Sequence, residues 1–586
     1  MKNLLKYLSV TVLFLNYGCT DIIDLNSESN ISVENFYANY SDLKVGLTSC
    51  YKGMQAPLSE EWAMTELRSD NTIMDSGTST STVKHDLSFL DQFYPPTTHQ
   101  GVYNYWLKTY NNIRNTNIIM NASGANYNGA NGTIEYAPVS IPVTLSQCKS
   151  IAAEASFIRA YHYFNLVRLY GGVFLIHEPI TPDEAKTFNR TTVDAIYKLI
   201  EADLKNAIAN GDSPIYSANS TDLGHANVYA AKALLAKVYL TLNRKPEASI
   251  LLQDVINSNQ YALQSSYANV FSVNNEMNSE ILFAIRFKGG GLGMGNPLPN
   301  NFAPSNSGNA VINGDGDGLN SPTSELLNLF ASSAIVTDKR RVANIGEYAA
   351  FPGKTIQPTT NSKDLFLESV TNIKLGQFVS GLGITGSTNK VKAIDVAAKK
   401  VTLSSNVTVA NNTVLSFFNS VYPNKYMSPT LIAYDAENDW PVLRYSDVLL
   451  MKAEADGKDN PTTLSNINLV HQRAGLPALI SSSIDTSDKF EKVLSLERRL
   501  EFAFENQRWF DLLRFNVTFQ NVGNKAEAIM DTHFASTYSV YQGFSVLPIS
   551  LAQLQANANP DRFLLPIPQY EIDTNSFITI QQNPSY

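Results

Sequence analysis

Apolar side chains recur every three or four residues through much of this chain, and the stretches that carry them come in pairs separated by short turns. In SIAAEASFIRAYHYFNLVRLYGG, Phe157, Tyr161, Phe164 and Arg168 fall on one helical face, and Gly171-Gly172 stops the run. YNYWLKTYNNIRNTNIIM does the same with Trp106, Tyr110, Ile113 and Asn117. Upstream, Ser41-Asp42 reads as the cap of a helix through Leu43, Leu47, Tyr51 and Met54. TTVDAIYKLIEADLKNAIAN, ANVYAAKALLAKVYLTL and PEASILLQDVINSN follow, with small Ala where helices would touch and large Tyr and Leu between. A two-helix unit of this size cannot bury its own apolar face, so each must stack on a neighbour.

Stacked pairs of this kind are the arrangement of tetratricopeptide-like repeats, here degenerate because the period is irregular. The middle of the chain breaks the pattern. Lys288–Ser321 is dense in Gly, Asn, Pro and Ser and reads as a long loop, functional or mobile. Alternation in KKVTLSSNVTV points to a few strands between Thr371 and Phe417. Helix returns in WPVLRYSDVLLMKAEA and FEKVLSLERRLEFAFENQRWFDLLRF, while Pro566 and Pro568 make the tail FLLPIPQYEI an extended segment. The expected fold is mainly α, a helical scaffold at 41–60, 100–285 and 440–530 with a loop-rich, partly β portion at 286–435. Of 586 residues 44% are hydrophobic and 17% charged, which supplies a large core and excludes a disordered chain. Net charge is -9 with Lys and Arg dispersed, so there is no basic footprint for nucleic acid.

The N-terminus, MKNLLKYLSVTVLFLNYGCTD, places Lys2 and Lys6 before a short apolar run, Leu8–Leu15. A spanning helix needs about 20 apolar residues, so this run fits a removable signal peptide. Gly18 directly before Cys19 looks like a bacterial lipobox, in which Cys19 is acylated and becomes the new N-terminus; Asn16-Tyr17 depart from the usual aliphatic and small residues. The organisation read here is a signal peptide at 1–18, a lipidated tether at 19–40 and one domain at 41–586. Beyond the anchor only Cys50 and Cys148 remain, so one bridge is the most the chain could form, and the reading leans against it.

The chain carries none of the motifs HExxH, CxxC, GxSxG and the P-loop. His162 lies in a strongly apolar helix and reads as a core or groove residue, not a metal ligand. NGDGDGLNSPTSE imitates a calcium loop with Asn313, Asp315, Asp317 and Gly318, but Ser324 stands where the final acid belongs and Glu325 comes one residue late. A Gly-rich turn before a helix capped by Thr323 or Ser324 fits better, and no metal or cofactor is expected. Glycoside hydrolysis needs two carboxyls about 5–10 Å apart, and Glu60-Glu61 and Glu497/Glu501 qualify on paper. LERRLEFAFENQRWFDLLR reads instead as structure, with Glu497, Glu501 and Glu505 pairing with Arg498, Arg508 and Arg514 in a buried ion-pair lattice.

Several segments together resemble one family. ELRSDNT (Glu66–Thr72), AEASFIRAYHYFNLVRLYGGVFLI (Ala153–Ile176), PVLRYSDVLLMKAEA (Pro441–Ala455), QRAGLP (Gln472–Pro477), ERRLEFAFENQRWFDLLRF (Glu497–Phe515), LLPIPQYEID (Leu564–Asp573) and QNPSY (Gln582–Tyr586) look like the SusD/RagB family, in its order. The resemblance implies four tetratricopeptide-like helix pairs with a ligand site on the irregular half. It also implies a non-enzymatic surface lipoprotein of the outer membrane that captures oligosaccharide or peptide for a SusC-like TonB-dependent transporter. A surface-tethered glycoside hydrolase is the alternative. The strand-like stretch around Thr371–Phe417 looks longer than the family needs. For the ligand site the reading selects Arg68, Asp70 and Asn71 in LRSDN, whose side chains match sugar hydroxyls, with Trp62, Tyr94 and Tyr103 as stacking surfaces. The rival reading pairs Arg68 with Asp70 or makes them a helix cap, and the Lys288–Ser321 loop is the next choice of site. Trp106 is assigned to the core by its spacing to Tyr110 and Ile113.

Overall fold

The computed structural model describes residues 36–74, 81–213, 223–332, 337–384, 389–575 and 577–586, so the leader, Cys19 and the tether through residue 35 lie outside the described residues. Twelve helices carry the argument: α1 (Tyr40–Gly53), α2 (Gln55–Thr65), α3 (Gln100–Ala122), α4 (Leu145–Tyr170), α5 (Val193–Asn210), α6 (Val228–Thr241), α7 (Lys245–Asn257), α8 (Ser324–Ala331), α9 (Tyr445–Asp456), α10 (Thr463–Arg473), α11 (Ser487–Glu501) and α12 (Arg508–Thr518). α1 packs on α3, α4 on α5, α6 on α7 and α9 on α10, and these four pairs stack in turn through α3 on α4, α5 on α6 and α7 on α9. This is the helix-pair scaffold expected from the spacing. α4 is buried nearly all round because neighbours cover both its flanks; a Thr144–Gln147 capping box starts it, and Gly171 at φ 72 ends it. In α6, Ala230, Ala231, Ala233 and Ala236 are buried, which lets adjacent helices approach closely. Trp106 is buried, as its spacing requires. The cap of α1 is Asn39, whose side chain accepts the N–H groups of Ser41 and Asp42; the pair read as the cap forms the first turn instead. No described helix is long and apolar enough to cross a membrane.

The irregular portion separates the third pair from the fourth and contains a β module. Its strands are β1 (Ile345–Tyr348), β2 (Phe351–Lys354), β3 (Thr359–Phe366), β4 (Phe378–Ser380), β5 (Val391–Asp395), β6 (Lys400–Val409), β7 (Val414–Phe418) and β8 (Ser420–Pro423). They pair antiparallel in the orders β5-β6-β3, β2-β7-β4 and β8-β1. Leu365, Val379, Val391, Val401, Leu403, Leu415 and Phe417 form a core of their own. Strand structure thus begins well before Thr371, because polar residues, Gly and Pro at 345–366 mask the alternation there. The tail is extended only to Pro568, after which Gln569–Thr574 turns helical.

Buried charge locks the fourth pair to its surroundings, though not through the partners expected. Glu497 and Glu501 are one helical turn apart and share a face. Glu501 meets Arg340, Arg444 and Arg473, Glu497 meets Arg340 and His471, and Glu505 meets Arg444 and Lys425. Arg498 points elsewhere, to Asp447 and Asp511; Arg514 holds Glu454 and Asp511; Arg508 crosses to Asp70. Cys50 and Cys148 are both free and buried. His162 is buried against Asn112, and burial lowers it to about 3, which keeps it neutral. The Asp315 carboxylate accepts backbone N–H groups of Ser307, Gly308 and Gly316, and Thr323 caps α8, which is the turn-before-a-helix arrangement.

Candidate functional site

Four of the six residues selected from sequence are interior. Trp62, on α2, packs edge-on against Phe302 with ring centroids 5.4 Å apart and is 3% exposed. Arg68, Asp70 and Asn71 are fully buried. Arg68 donates to the carbonyls of Arg562 (2.7 Å) and Phe563 (3.2 Å) and lies over the rings of Phe93 and Trp509; desolvation lowers its guanidinium to about 10. Burial pushes the Asp70 carboxyl up, but Arg499 and Arg508 outweigh it and hold the group below the usual carboxylate range. Asn71 donates to Glu66 and accepts from Arg499 Nε at 3.0 Å. These side chains are sealed in the interior, and Arg68 and Asp70 do not pair with each other. Tyr94 and Tyr103 do reach the surface, beside Arg562 and Tyr570 respectively.

LRSDN serves instead to place α8. Thr323 N donates to Asn71 O (2.9 Å), Thr323 Oγ1 donates to Asp70 O (2.9 Å), and Arg499 joins Asp70 to Glu325 in the first turn of α8. The far side of α8 walls a cleft of about 390 Å³ shared with the β module. Leu327, Asn328 and Ala331 line one side, Val379–Leu382 and Val414–Ser416 the other, with Arg341 and Glu347 also in the lining. A smaller hollow of about 140 Å³ adjoins it through Leu327 and Phe418 and extends to Ile73, Ser321 and Phe378. Pockets of a few hundred Å³ with apolar walls and a few fixed polar groups are the usual form of small-ligand sites.

Two features give the cleft and the adjoining hollow their chemistry. Phe378 and Phe418 are register partners across β4 and β7, so their rings stack at 5.8 Å with 17° between planes. Lys390 Nζ lies 4.3 Å from the centre of the Phe378 ring. Deeper in, the Glu347 carboxylate accepts from Ser380 Oγ (2.9 Å), Ser416 Oγ (2.5 Å) and the Arg341 guanidinium. Val342, Leu382 and Val414 are exposed around this polar group, between 46% and 68%. Sequence reading missed the pair because Phe378 and Phe418 meet only through strand register; their one local signal is alternation in GQFVSG and LSFFNS.

A second groove, of about 430 Å³, lies among Tyr40, Lys44, Glu154, His225 and Asn227 on the scaffold. There Glu154 is already engaged by Tyr51 and His225. The paired acids considered for hydrolysis are equally committed. Glu60 pairs with Lys108 (2.7 Å), whereas Glu61 turns inward to Tyr161, Asn165 and Asn506 beside a cavity of about 30 Å³. Burial raises Glu61 to about 7, but such a cavity has room for a water, not a sugar.

Comparison with known proteins follows the same architecture. The chain is 24% identical over 580 residues to SusD-like protein P25 of Formosa agariphila, covering 95% of this chain and 97% of that one. Among solved structures, a laminarin binding SusD-like protein matches with a TM-score of 0.63 at 22% identity over 94% of this chain and all of that one. Surface glycan-binding protein A from Bacteroides thetaiotaomicron, in complex with laminarihexaose, matches with a TM-score of 0.63 at 18% identity, covering 93% of this chain and 99% of that one. A family model described as starch-binding associating with outer membrane matches residues 22–240. The model of the SusD family matches residues 279–586, more than half of the sequence; the chain belongs to the SusD family.

Proposed function

We propose that this protein is a non-catalytic, lipid-anchored glycan-binding protein of the outer-membrane surface that captures oligosaccharide in the cleft and delivers it to a SusC-like TonB-dependent transporter. The observation that carries this reading is the stacked Phe378–Phe418 pair, which lines the adjoining hollow and meets the cleft at Phe418, where Ser380, Ser416, Asn328 and Glu347 stand. A pyranose has an apolar C–H face that an aromatic ring matches, and hydroxyls that amide, hydroxyl and carboxylate groups match. Laminarin and laminarihexaose in the names of two structural neighbours make β-glucan the first ligand to test. Glu60, Glu61, Glu497 and Glu501 each serve an internal ion pair or hydrogen bond, which argues against the hydrolase alternative. Gly18-Cys19 after the apolar leader supports acylation at Cys19 and hence the membrane attachment.

The test is calorimetric titration of the detergent-solubilised mature protein with laminarihexaose, maltohexaose and xylohexaose, with product analysis by chromatography. One or more should bind and emerge uncut. Phe378→Ala should weaken that binding about five- to tenfold through lost stacking, at an unchanged melting temperature. Cleavage of any hexasaccharide, or equal binding by Phe378→Ala, overturns the reading.

A further inference from the structure

Away from the cleft, the N-terminal turns of α3 meet the C-terminal tail at an exposed aromatic surface. Gln569 N donates to Thr97 O (2.9 Å) and sets the helix Gln569–Thr574 beside Tyr103. The Tyr103 and Tyr570 rings then lie 5.0 Å apart at 51°, an open angle that leaves ring face uncovered; Tyr570 is 59% exposed. Leu107, one turn along α3 from Tyr103, is also exposed. Nearby, Arg562 bridges the rings of Tyr94 (4.5 Å) and Tyr586 (5.6 Å).

Glu571 follows Tyr570 in the same short helix. It is partly buried, its charge is felt by Tyr103 and Tyr110, and burial alone raises its carboxyl. Among the described residues no hydrogen bond or ion pair engages that carboxylate, whereas the other carboxylates named above are all engaged. A partly desolvated, acceptor-only group beside ring faces lacks donors from its own chain. Two vicinal hydroxyls supply donors, and the C–H face of the same sugar ring fits the tyrosine.

We infer that Tyr103, Tyr570 and Glu571 form a second saccharide site, taking one pyranose unit with vicinal hydroxyls, separate from the cleft and sharing no lining residue with it. The choice of a sugar over other diols rests on the glycan-binding reading above.

Saturation-transfer NMR on the detergent-solubilised mature protein, with methyl β-D-glucopyranoside, methyl β-D-galactopyranoside and methyl α-D-mannopyranoside as probes, tests it. Transfer to at least one probe is expected. It should fall severalfold in Tyr103→Ala/Tyr570→Ala and in Glu571→Gln, and persist in Phe378→Ala. No transfer to any probe, or transfer indifferent to the tyrosine and Glu571 variants, overturns the inference and leaves the cleft untouched. Platform variants that keep sugar transfer but lose a co-purifying β-barrel would mark a docking surface instead, and also overturn it. If Phe378→Ala binds hexasaccharide normally while the platform variants lose transfer, the cleft reading fails and the platform stands.

Discussion

Replacing Asp70 by Ala should unfold the protein more readily without identifying a ligand contact. Asp70 accepts from Arg508 Nε (2.7 Å) and Nη2 (2.8 Å) and faces Arg499 Nη1 (2.9 Å), all in the interior. In the variant Arg499 still has Glu325 and Asn71, but Arg508 keeps only Ser495. Removing one partner of a buried pair costs about 3–5 kcal/mol, because the charge left behind is uncompensated. Melting temperatures move by less per kcal/mol as chains lengthen, about 2–4 °C at 150–250 residues and about 1 °C at this length, so here the fall should be about 3–4 °C. The pH dependence has a definite sign. The carboxyl is held below the usual range in the fold, so its contribution is complete above the unfolded value of about 3.9. It is lost only as pH falls from there through the lower folded value. Calorimetric melts should therefore show a constant gap between parent and Asp70→Ala from neutral pH to about pH 5, narrowing below about pH 4. Glu60→Gln is the control, since the Glu60–Lys108 pair is partly exposed and should be worth about 1 kcal/mol or less. A variant that melts like its parent at pH 7 yet no longer binds sugar would refute the structural role and restore LRSDN as the ligand site.

Three further outcomes are expected. Cys19→Ala should move the protein to the aqueous phase of a detergent extraction, because one acyl chain holds weakly and several hold firmly; unchanged membrane retention argues against the lipobox. Glu61 has its carboxyl raised to about 7 by burial, so it favours the fold at low pH and that stability fades as pH climbs from its ordinary value through about 7; Glu61→Gln should flatten the parent's decline across that window in urea titrations. Tagged protein extracted from its native membrane in mild detergent should bring a large β-barrel with it, since stable interfaces bury on the order of thousands of Å², and recovery of the protein alone counts against delivery to a transporter.

Local periodicity carried the scaffold well. Phe157, Tyr161 and Phe164 share a face whatever lies around them, and Gly171-Gly172 ends that helix by backbone conformation alone. The β module was legible only in part: KKVTLSSNVTV alternates, but β1, β2 and β3 contain Gly346, Gly353, Pro352 and a run of polar residues, so their strand character comes from pairing and not from pattern. In the acid-base run 497–514 the sequence shows a lattice but not its partners, because a helix states which residues share a face but not what that face meets. Arg508 finds Asp70 across 438 positions of sequence.

The candidate site divides along the same line. LRSDN is polar, lies where the chain leaves the first helices and is rich in hydrogen-bonding groups, all of which describe a ligand contact and an internal keystone equally well. Desolvation separates the two, and desolvation is a property of the assembled molecule. The sequence by itself determined that this chain stacks helix pairs and interrupts them with a loop-rich β insertion, since each follows from neighbours within one or two turns. Only the tertiary structure decided which polar residues would be sealed inside and which aromatics would meet. Asp70 is interior because Arg499 and Arg508 come to it, and Phe378 stands against Phe418 because antiparallel register brings two strands of the insertion side by side.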